Sequence, residues 1–233
     1  MRYIEVLIND EYLYIIMPRC QSLLQEAPMN EQRGREVLEH IIQDLEYLRR
    51  HHICHRDVSP DNFMIYNGRV LFIDPAMSID LMDRDDHMIY NDGHQGCGKP
   101  AFWSPDIELL TQSHLTCYNG DSRDIWAACL VLYCYLTSTV LYDRPTQNDL
   151  HFRFFIIAKG LSVNLNEHAH AVQELTHIHN HEPADVQMKI IRKLRAIMDL
   201  TESRRNMLEH SLHFFPNKRW TLQEVKHFEN SLR

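Results

Sequence analysis

Apolar and polar residues alternate along the first 17 residues of the chain in two short runs. The runs RYIEVLI (2–8) and YLYIIM (12–17) have the alternating pattern of β-strands. Asn9, Asp10 and Glu11 lie between them and are residue types that favour a hairpin turn. The pattern therefore predicts a β-hairpin, which is marginally stable unless it packs on something else.

After residue 30 the apolar residues follow a helical period. Asn30 is a suitable N-cap, and the apolar positions recur at intervals of three and four residues up to His52. These positions are Val37, Leu38, Ile41, Ile42, Leu45 and Leu48. The pattern predicts a long amphipathic helix that leads directly into a polar loop, HRDVSPDN (55–62).

The stretch that follows this loop has strand and loop character. FMIYNGRVLFID (63–74) reads as two short strands around the Asn67–Gly68 turn, with Asp74 at a strand end. Residues 77–100 are polar and rich in glycine, which predicts a long loop. Long loops within a compact domain usually carry function.

The rest of the chain has mainly helical patterns. DIWAACLVLYCYLTS (124–138) is almost wholly apolar and predicts a buried helix. Residues 148–160 and 185–213 also have helical spacing, and TLQE (221–224) is a capping box that opens a final helix. The expected fold class is therefore α+β, mainly α.

Composition narrows the function classes. The chain has 233 residues, 44% of them hydrophobic and 24% charged, and lacks an apolar run of the about 18 residues that a membrane helix needs. The net charge of −8 argues against nucleic acid as a partner. The start of the chain has no signal-peptide pattern, so we expect a cytoplasmic or nuclear protein with no membrane partner. The six cysteines have no CxxC spacing and are expected to be reduced thiols, several of them buried.

The loop at 55–62 and the strand after it contain a set of residues suited to phosphoryl transfer. Asp57 can accept a hydroxyl proton, and Asn62 and Asp74 can share a metal ion. The protein's part in such chemistry is positioning and charge neutralisation.

The order of motifs resembles the C-terminal lobe of eukaryotic serine/threonine protein kinases. GKPAFWSPD (98–106) resembles the substrate-loop segment, Asp124 opens the buried helix of that lobe, and Arg219 is the expected partner of the acid at Asp106. Asp106 is one methylene shorter than the usual Glu, so we expect a looser pair, with Glu108 as a less favoured substitute. The resemblance implies a small-lobe remnant at 1–17, a hinge at 18–26 and the large lobe at 27–233.

The resemblance also implies ligands and roles. Asp57 is the implied catalytic base, Asn62 and Asp74 bind magnesium, and ATP is the phosphoryl donor. Met17 takes the gatekeeper position, and Pro18 and Cys20 lie on the hinge, where backbone groups contact adenine. The first hinge contact needs only a carbonyl, so Pro18 is tolerated. The implied partner is a protein substrate or a regulatory protein.

The sequence departs from the family pattern in front of the hinge and at the metal ligand. No glycine-rich loop, strand lysine or helix glutamate is present, so we expect this polypeptide to be a poor catalyst. Asp74 is followed by Pro75 and Ala76 instead of Phe and Gly. Two hypotheses follow: an enzyme that transfers phosphate to protein Ser/Thr hydroxyls in its full-length form, or a pseudokinase that acts as a protein-binding scaffold.

A linked pair of departures lies beside Asp57. Position 59 usually carries Lys and position 99 Thr, but this chain has Ser59 and Lys99. We interpret this as an exchange, in which Lys99 offers its charge near the transferred phosphoryl group. The alternative is that Ser59 caps a turn and Lys99 is solvated.

Regulation and metal binding suggest two further hypotheses. An arginine at position 56 is typical of kinases whose activation loop is ordered by a phosphate group. Between Ile79 and Trp103, however, Tyr90 is the only residue with a hydroxyl group. Asp83, Asp85 and Asp86 would then be fixed acidic partners, and the loop would be constitutively ordered. The His-rich tract at 166–182 is interpreted as a surface insertion, with a zinc site as the less favoured alternative.

Overall fold

A computed structural model describes residues 5–82, 87–90, 96–112, 114–146, 148–153, 155, 183–213 and 215–232. Over these residues the chain is α+β and mainly helical, which confirms the predicted fold class. The His-rich tract and the acidic residues at 83, 85 and 86 lie outside the described residues, so both hypotheses about them stay predictions.

The first element is the predicted hairpin. Strand β1 (Glu5–Ile8) pairs antiparallel with β2 (Leu13–Ile16). The Asn9 side chain closes the turn, because its Oδ1 accepts the backbone N–H groups of Glu11 and Tyr12 at 2.9 and 2.6 Å. Every residue of both strands is exposed. The hairpin therefore shows apolar side chains on both of its faces.

Short strands shape the region around the polar loop. Strands β3 (Gln21–Ser22), β5 (Phe63–Tyr66) and β6 (Arg69–Phe72) form one antiparallel sheet. The β5–β6 turn is the predicted Asn67–Gly68 pair, and both of its residues have positive φ, at 51° and 75°.

The prediction of one long loop at 77–100 is wrong in part, because the segment contains two short strands. Strand β7 (Ile79–Asp80) pairs with β4 (Ile53–Cys54), and β8 (Met88–Tyr90) pairs with β9 (Cys117–Asn119). These pairs fix the segment to the regions before the polar loop and before the buried helix.

The helices have the following bounds: α1 Glu31–Arg50, α2 Pro105–Thr111, α3 Gly120–Thr137, α4 Ala184–Met198, α5 Glu202–Ser211 and α6 Leu222–Ser231. Helix α1 begins after Asn30, whose side chain accepts the Arg33 N–H at 2.8 Å. The predicted capping box is present at Thr221 and Glu224. The expectation of a single helical stretch at 185–213 is wrong, because Thr201 caps a second helix there. Of 148–160, the described helical residues are 150–153 and 155.

Helix α3 is the centre of the core. It begins four residues before the predicted start, where Asn119 accepts the Ser122 N–H at 2.8 Å. Helix α1 packs closely against it, since a Cβ on Gly34 would lie 2.6 Å from Leu136 Cδ2. Within the described ranges, no helix is long and apolar enough to cross a membrane.

Candidate active site

The loop that carries Asp57 is fixed to the buried helix α3 by a carboxylate. Asp124 accepts the backbone N–H groups of His55 at 2.8 Å and Arg56 at 3.1 Å, and the Cys54 thiol at 3.3 Å. Burial raises the pKa of the Asp124 carboxyl, while the nearby Arg123 charge lowers it. These bonds hold Arg56 in the left-handed region, at φ 66°, which turns the chain towards Asp57.

Two further contacts of α3, which sequence reasoning missed, fix the same loop. The Tyr135 hydroxyl donates to the Pro60 carbonyl at 3.0 Å. Arg123 donates to the Arg56 carbonyl at 2.6 Å and also to the Cys97 carbonyl. The adjacent charges at 123 and 124, directly before a long apolar run, were a usable signal, because buried charges need partners. Nothing in the sequence singled out Tyr135.

Asp57 and Asn62 form the core of the candidate site. The Asn62 amide nitrogen donates to the Asp57 carboxylate Oδ2 at 3.0 Å and to the Asp57 carbonyl at 2.8 Å. The other carboxylate oxygen, Oδ1, is buried and has no hydrogen-bond partner among the described residues. A buried acceptor without a partner is costly in a protein interior. Asn62 therefore holds the Asp57 carboxylate in place, and Oδ1 stays enclosed by the protein.

Asp74 lies just beyond β6 and is exposed. Its φ is 60°, and its Oδ1 accepts the Ala76 N–H at 3.3 Å, which caps a 3-10 turn at Pro75–Met77. The backbone links it to Asn62, since the Ile73 N–H donates to the Asn62 carbonyl at 2.9 Å. In this structure the left-handed residue is Asp74, so Ala76 fits the turn without needing the freedom of glycine.

The residues at 62 and 74 fit a hard divalent cation. Asn62 uses its amide nitrogen on Asp57, so its amide oxygen is the atom that would face an ion, and the exposed Asp74 offers carboxylate oxygens. Oxygen ligands suit Mg²⁺, which commonly takes one or two protein groups and completes its shell with phosphates and water. The described part of the chain contains no cluster of three or more His, Cys, Asp or Glu residues that could hold a metal ion.

Ser59 and Lys99 are brought together. Lys99 Nζ donates to Ser59 Oγ at 3.1 Å and forms an ion pair with Asp61. Ser59 is fully buried, and it makes no side-chain capping bond to the turn that follows it. The capping role of Ser59 in the alternative is therefore wrong, while the placement of the Lys99 charge near the transferred phosphoryl group stays a prediction. Sequence reasoning missed the Asp61 contact.

The expected hinge residues lie at the edge of the described site. Met17 is exposed, and Pro18 and Cys20 are half-buried. The Cys20 thiol donates to the Pro18 carbonyl at 3.4 Å, so this carbonyl already acts as an acceptor. Their role in adenine binding and the expected lobe boundaries stay predictions.

The predicted acid pair is present and is tight. Arg219 Nη2 lies 2.5 Å from Asp106 Oδ1, and both side chains are almost fully buried. The expectation of a looser pair is wrong, because Arg219 comes close enough to make up for the shorter acid. Glu108 instead pairs with Arg144, at 2.7 Å.

Arg56 contacts the segment after Asp74 directly. Its Nε donates to the Met77 carbonyl at 2.7 Å. Together with the β4–β7 and β8–β9 pairs and the His87–Asp121 contact at 2.9 Å, this bond ties the segment down without a phosphate group. These contacts fix the described residues of the segment, 77–82 and 87–90, and the constitutive order of the whole loop stays a prediction.

Gly98 provides a prediction about the approach of two loops. Its φ is 76°, and an added Cβ would lie 2.6 Å from the Arg56 carbonyl oxygen. We expect Gly98→Ala to lower the free energy of unfolding by about 3 kcal/mol, from backbone strain plus the forced shift. Gly68 is the matched control, because it has φ 75° but open space around it, so Gly68→Ala should cost only about 1 kcal/mol. Equal costs in urea melts would contradict the close approach.

His55 makes the free energy of unfolding depend on pH. Burial lowers the pKa of its imidazole below the ordinary 6.5, and the ring stacks on Phe72. As pH falls through 6.5 the unfolded chain takes up a proton that the folded chain does not, so stability present above this pH is lost below it. His151 contributes a slope of the same sign. We expect His55→Gln to flatten the slope of unfolding free energy against pH; an unchanged slope would refute this assignment.

Comparison with known proteins agrees with this geometry. A family model described as the protein kinase domain matches residues 1–229. The serine/threonine protein kinase OSK3 of Oryza sativa subsp. indica is 26% identical over 152 residues, 61% of this chain and 27% of the relative. The SNF1-related protein kinase catalytic subunit alpha KIN12 of Arabidopsis thaliana is 24% identical over 184 residues, 75% of this chain and 34% of the relative.

A further relative is the sperm motility kinase 2A of Mus musculus, which is 28% identical over 167 residues, 69% of this chain and 31% of the relative. The chain spans about a third or less of the length of these curated relatives. The match over nearly the entire chain identifies its class: this polypeptide belongs to the protein kinase family. The resemblance predicted from the motif order is confirmed.

Proposed function

We propose that this protein is a kinase-type transferase, which moves the terminal phosphoryl group of ATP to Ser or Thr hydroxyls of a protein substrate. The observation that carries the proposal is the way in which Asn62 holds Asp57. Asn62 holds this residue through both its carboxylate Oδ2 and its backbone carbonyl, which gives the carboxylate the fixed orientation that a general base needs. The kinase names of the relatives support the substrate class.

The proposed reaction is a single displacement. The substrate hydroxyl oxygen forms a bond to the terminal phosphorus, and the bond from that phosphorus to the bridging oxygen breaks. The electron pair of the broken bond leaves with ADP, and the hydroxyl proton passes to the Asp57 carboxylate. Asn62 keeps the carboxylate oriented throughout, because it holds both Oδ2 and the carbonyl of the same residue.

The other residues position the nucleotide. Asn62 and Asp74 would hold magnesium, which when bound neutralises phosphate charge. The backbone of the hinge at Pro18 and Cys20, beside Met17, would contact the adenine ring. The cytoplasm or nucleus, where ATP and protein substrates are abundant, is the proposed location.

A second candidate function, a protein-binding scaffold, is favoured by the hairpin. Val6, Leu7, Leu13, Tyr14 and Ile15 on β1 and β2 are each more than 40% exposed. Contiguous exposed apolar side chains often mark an interaction surface. In this alternative the catalytic residues would be kept in a pseudokinase without turnover.

A transfer assay separates the two candidates. The chain is incubated with ATP labelled at the terminal phosphate, Mg²⁺ and a degenerate peptide mixture with Ser, Thr or Tyr as the single acceptor. We expect slow labelling of Ser and Thr peptides. Labelling of none, in folded protein that still binds Mg-ATP, would favour the scaffold.

A further inference from the structure

A lysine reaches the Asp57 loop from a different part of the chain. The sequence has no Lys or Arg between Asp57 and Asn62. Lys99 follows Gly98, whose backbone approaches so closely that an added Cβ would lie 3.1 Å from Asp57 Oδ1. The close approach of the two loops therefore brings the Lys99 ammonium beside the proton acceptor's loop.

Ser59 fixes the position of this ammonium. Its side chain is fully buried, and its hydroxyl oxygen accepts from Lys99 Nζ at 3.1 Å. A flexible lysine has several rotamers, so a buried partner restricts where the charge can lie. Lys99 itself stays 43% exposed, which leaves the ammonium accessible to a ligand.

The charges around the site favour a protein cation in addition to magnesium. Asp57, Asp61 and Asp74 place three carboxylates on the loop and the adjoining strand end. An ATP phosphate entering among them is repelled unless positive charge lies close by. The Lys99 ammonium, with three donors, can bind a phosphate as a point charge.

We propose that Lys99 binds the terminal phosphate of ATP, that Ser59 positions it, and that Asp61 holds it when no nucleotide is bound. This inference rests on the proposed function and adds the residue that distinguishes ATP from ADP. Lys99 breaks no bond and keeps its proton; it offsets the charge of the phosphoryl group that is transferred. Asp61 competes with the phosphate for the same ammonium.

The test compares the affinities for Mg-ATP and Mg-ADP, by calorimetry, on the parent chain and single variants. We expect Lys99→Ala to lower the preference for ATP over ADP by about tenfold, as loss of a charged hydrogen bond would. Asp61→Asn should shift the preference in the opposite direction, because it removes the competitor. If Lys99 and Asp61 formed only a structural ion pair, both variants would change the preference for ATP over ADP in the same direction. Lys189→Ala, at an exposed lysine of α4, is the matched control.

Ser59→Ala tests the positioning role. We expect it to lower the ATP preference in the parent but not in a Lys99→Ala background, since the two act as one unit. A purely structural serine would cost stability in both backgrounds and leave the preference unchanged. If burial makes the Ser59 variant unstable, the Lys99 and Asp61 variants decide the matter alone.

The outcomes also separate this inference from the proposed function. A folded Lys99→Ala variant with the parent's ATP preference would overturn the role of Lys99 while leaving the nucleotide site intact. A folded parent that binds neither nucleotide would overturn the nucleotide site, and the inference with it.

Discussion

Asp57→Asn should lower the rate of phosphoryl transfer by about 10²–10⁴-fold, the usual contribution of a positioned general base. The variant keeps an oxygen that can accept from Asn62, so the loop geometry and Mg-ATP affinity should stay near those of the parent. The measurement is transfer of labelled phosphate to the Ser/Thr peptide mixture, with affinity determined in parallel.

The matched control for this variant is Asp10→Asn. Asp10 is an exposed residue of the hairpin turn, so it loses the same charge away from the loop. We expect the parent's transfer rate in this control. A similar loss in both variants would show that overall charge, and not the Asp57 proton acceptor, sets the rate.

Asp106→Ala should cause the largest loss of stability, about 3–5 kcal/mol, because it leaves a buried guanidinium without its counter-ion. Arg219 also donates to the His213 carbonyl at 2.8 Å and to Ser122 Oγ at 3.1 Å, and it lies over the Trp126 ring. The Asp106–Arg219 ion pair therefore joins α2 to the start of α3 and to the segment before α6. In a chain of this size the loss corresponds to a drop in Tm of about 10 °C.

A surface ion pair provides the comparison for this stability prediction. Lys226 contacts Glu46 at 2.7 Å, with 44% of the lysine side chain exposed. Because solvent screens such pairs, Lys226→Ala should cost no more than about 1 kcal/mol. Thermal melts in which both variants lose the same stability would contradict the structural role of the buried pair.

Local patterns predicted the elements that are stabilised locally. Helix α1 follows from the Asn30 cap and its apolar spacing, and the β5–β6 turn follows from Asn67–Gly68. The α4–α5 break was missed although Thr201 is a good cap, because helical spacing continues on both sides of it. Strands β7 and β8 were missed because two or three residues are too short to show a period.

The motif also predicted which residues would form the site, but not what fixes them. Asp57 and Asn62 are five residues apart and belong to one loop, so their contact follows from the sequence. The Tyr135 bond to Pro60 spans 75 residues and the Arg123 bond to Arg56 spans 67. Such contacts depend on how α3 packs beneath the loop, which no local pattern contains.

The most direct test of the account is the thermal stability of this 233-residue chain with Mg²⁺, ATP or both. If Asn62 and Asp74 hold the ion against the phosphates, ATP should raise Tm when Mg²⁺ is present, and the shift should grow with ligand concentration. Asp74→Asn should lose the magnesium-dependent part of the shift. No rise in Tm with Mg-ATP at millimolar concentration, in protein that melts cooperatively, would contradict the proposed nucleotide site.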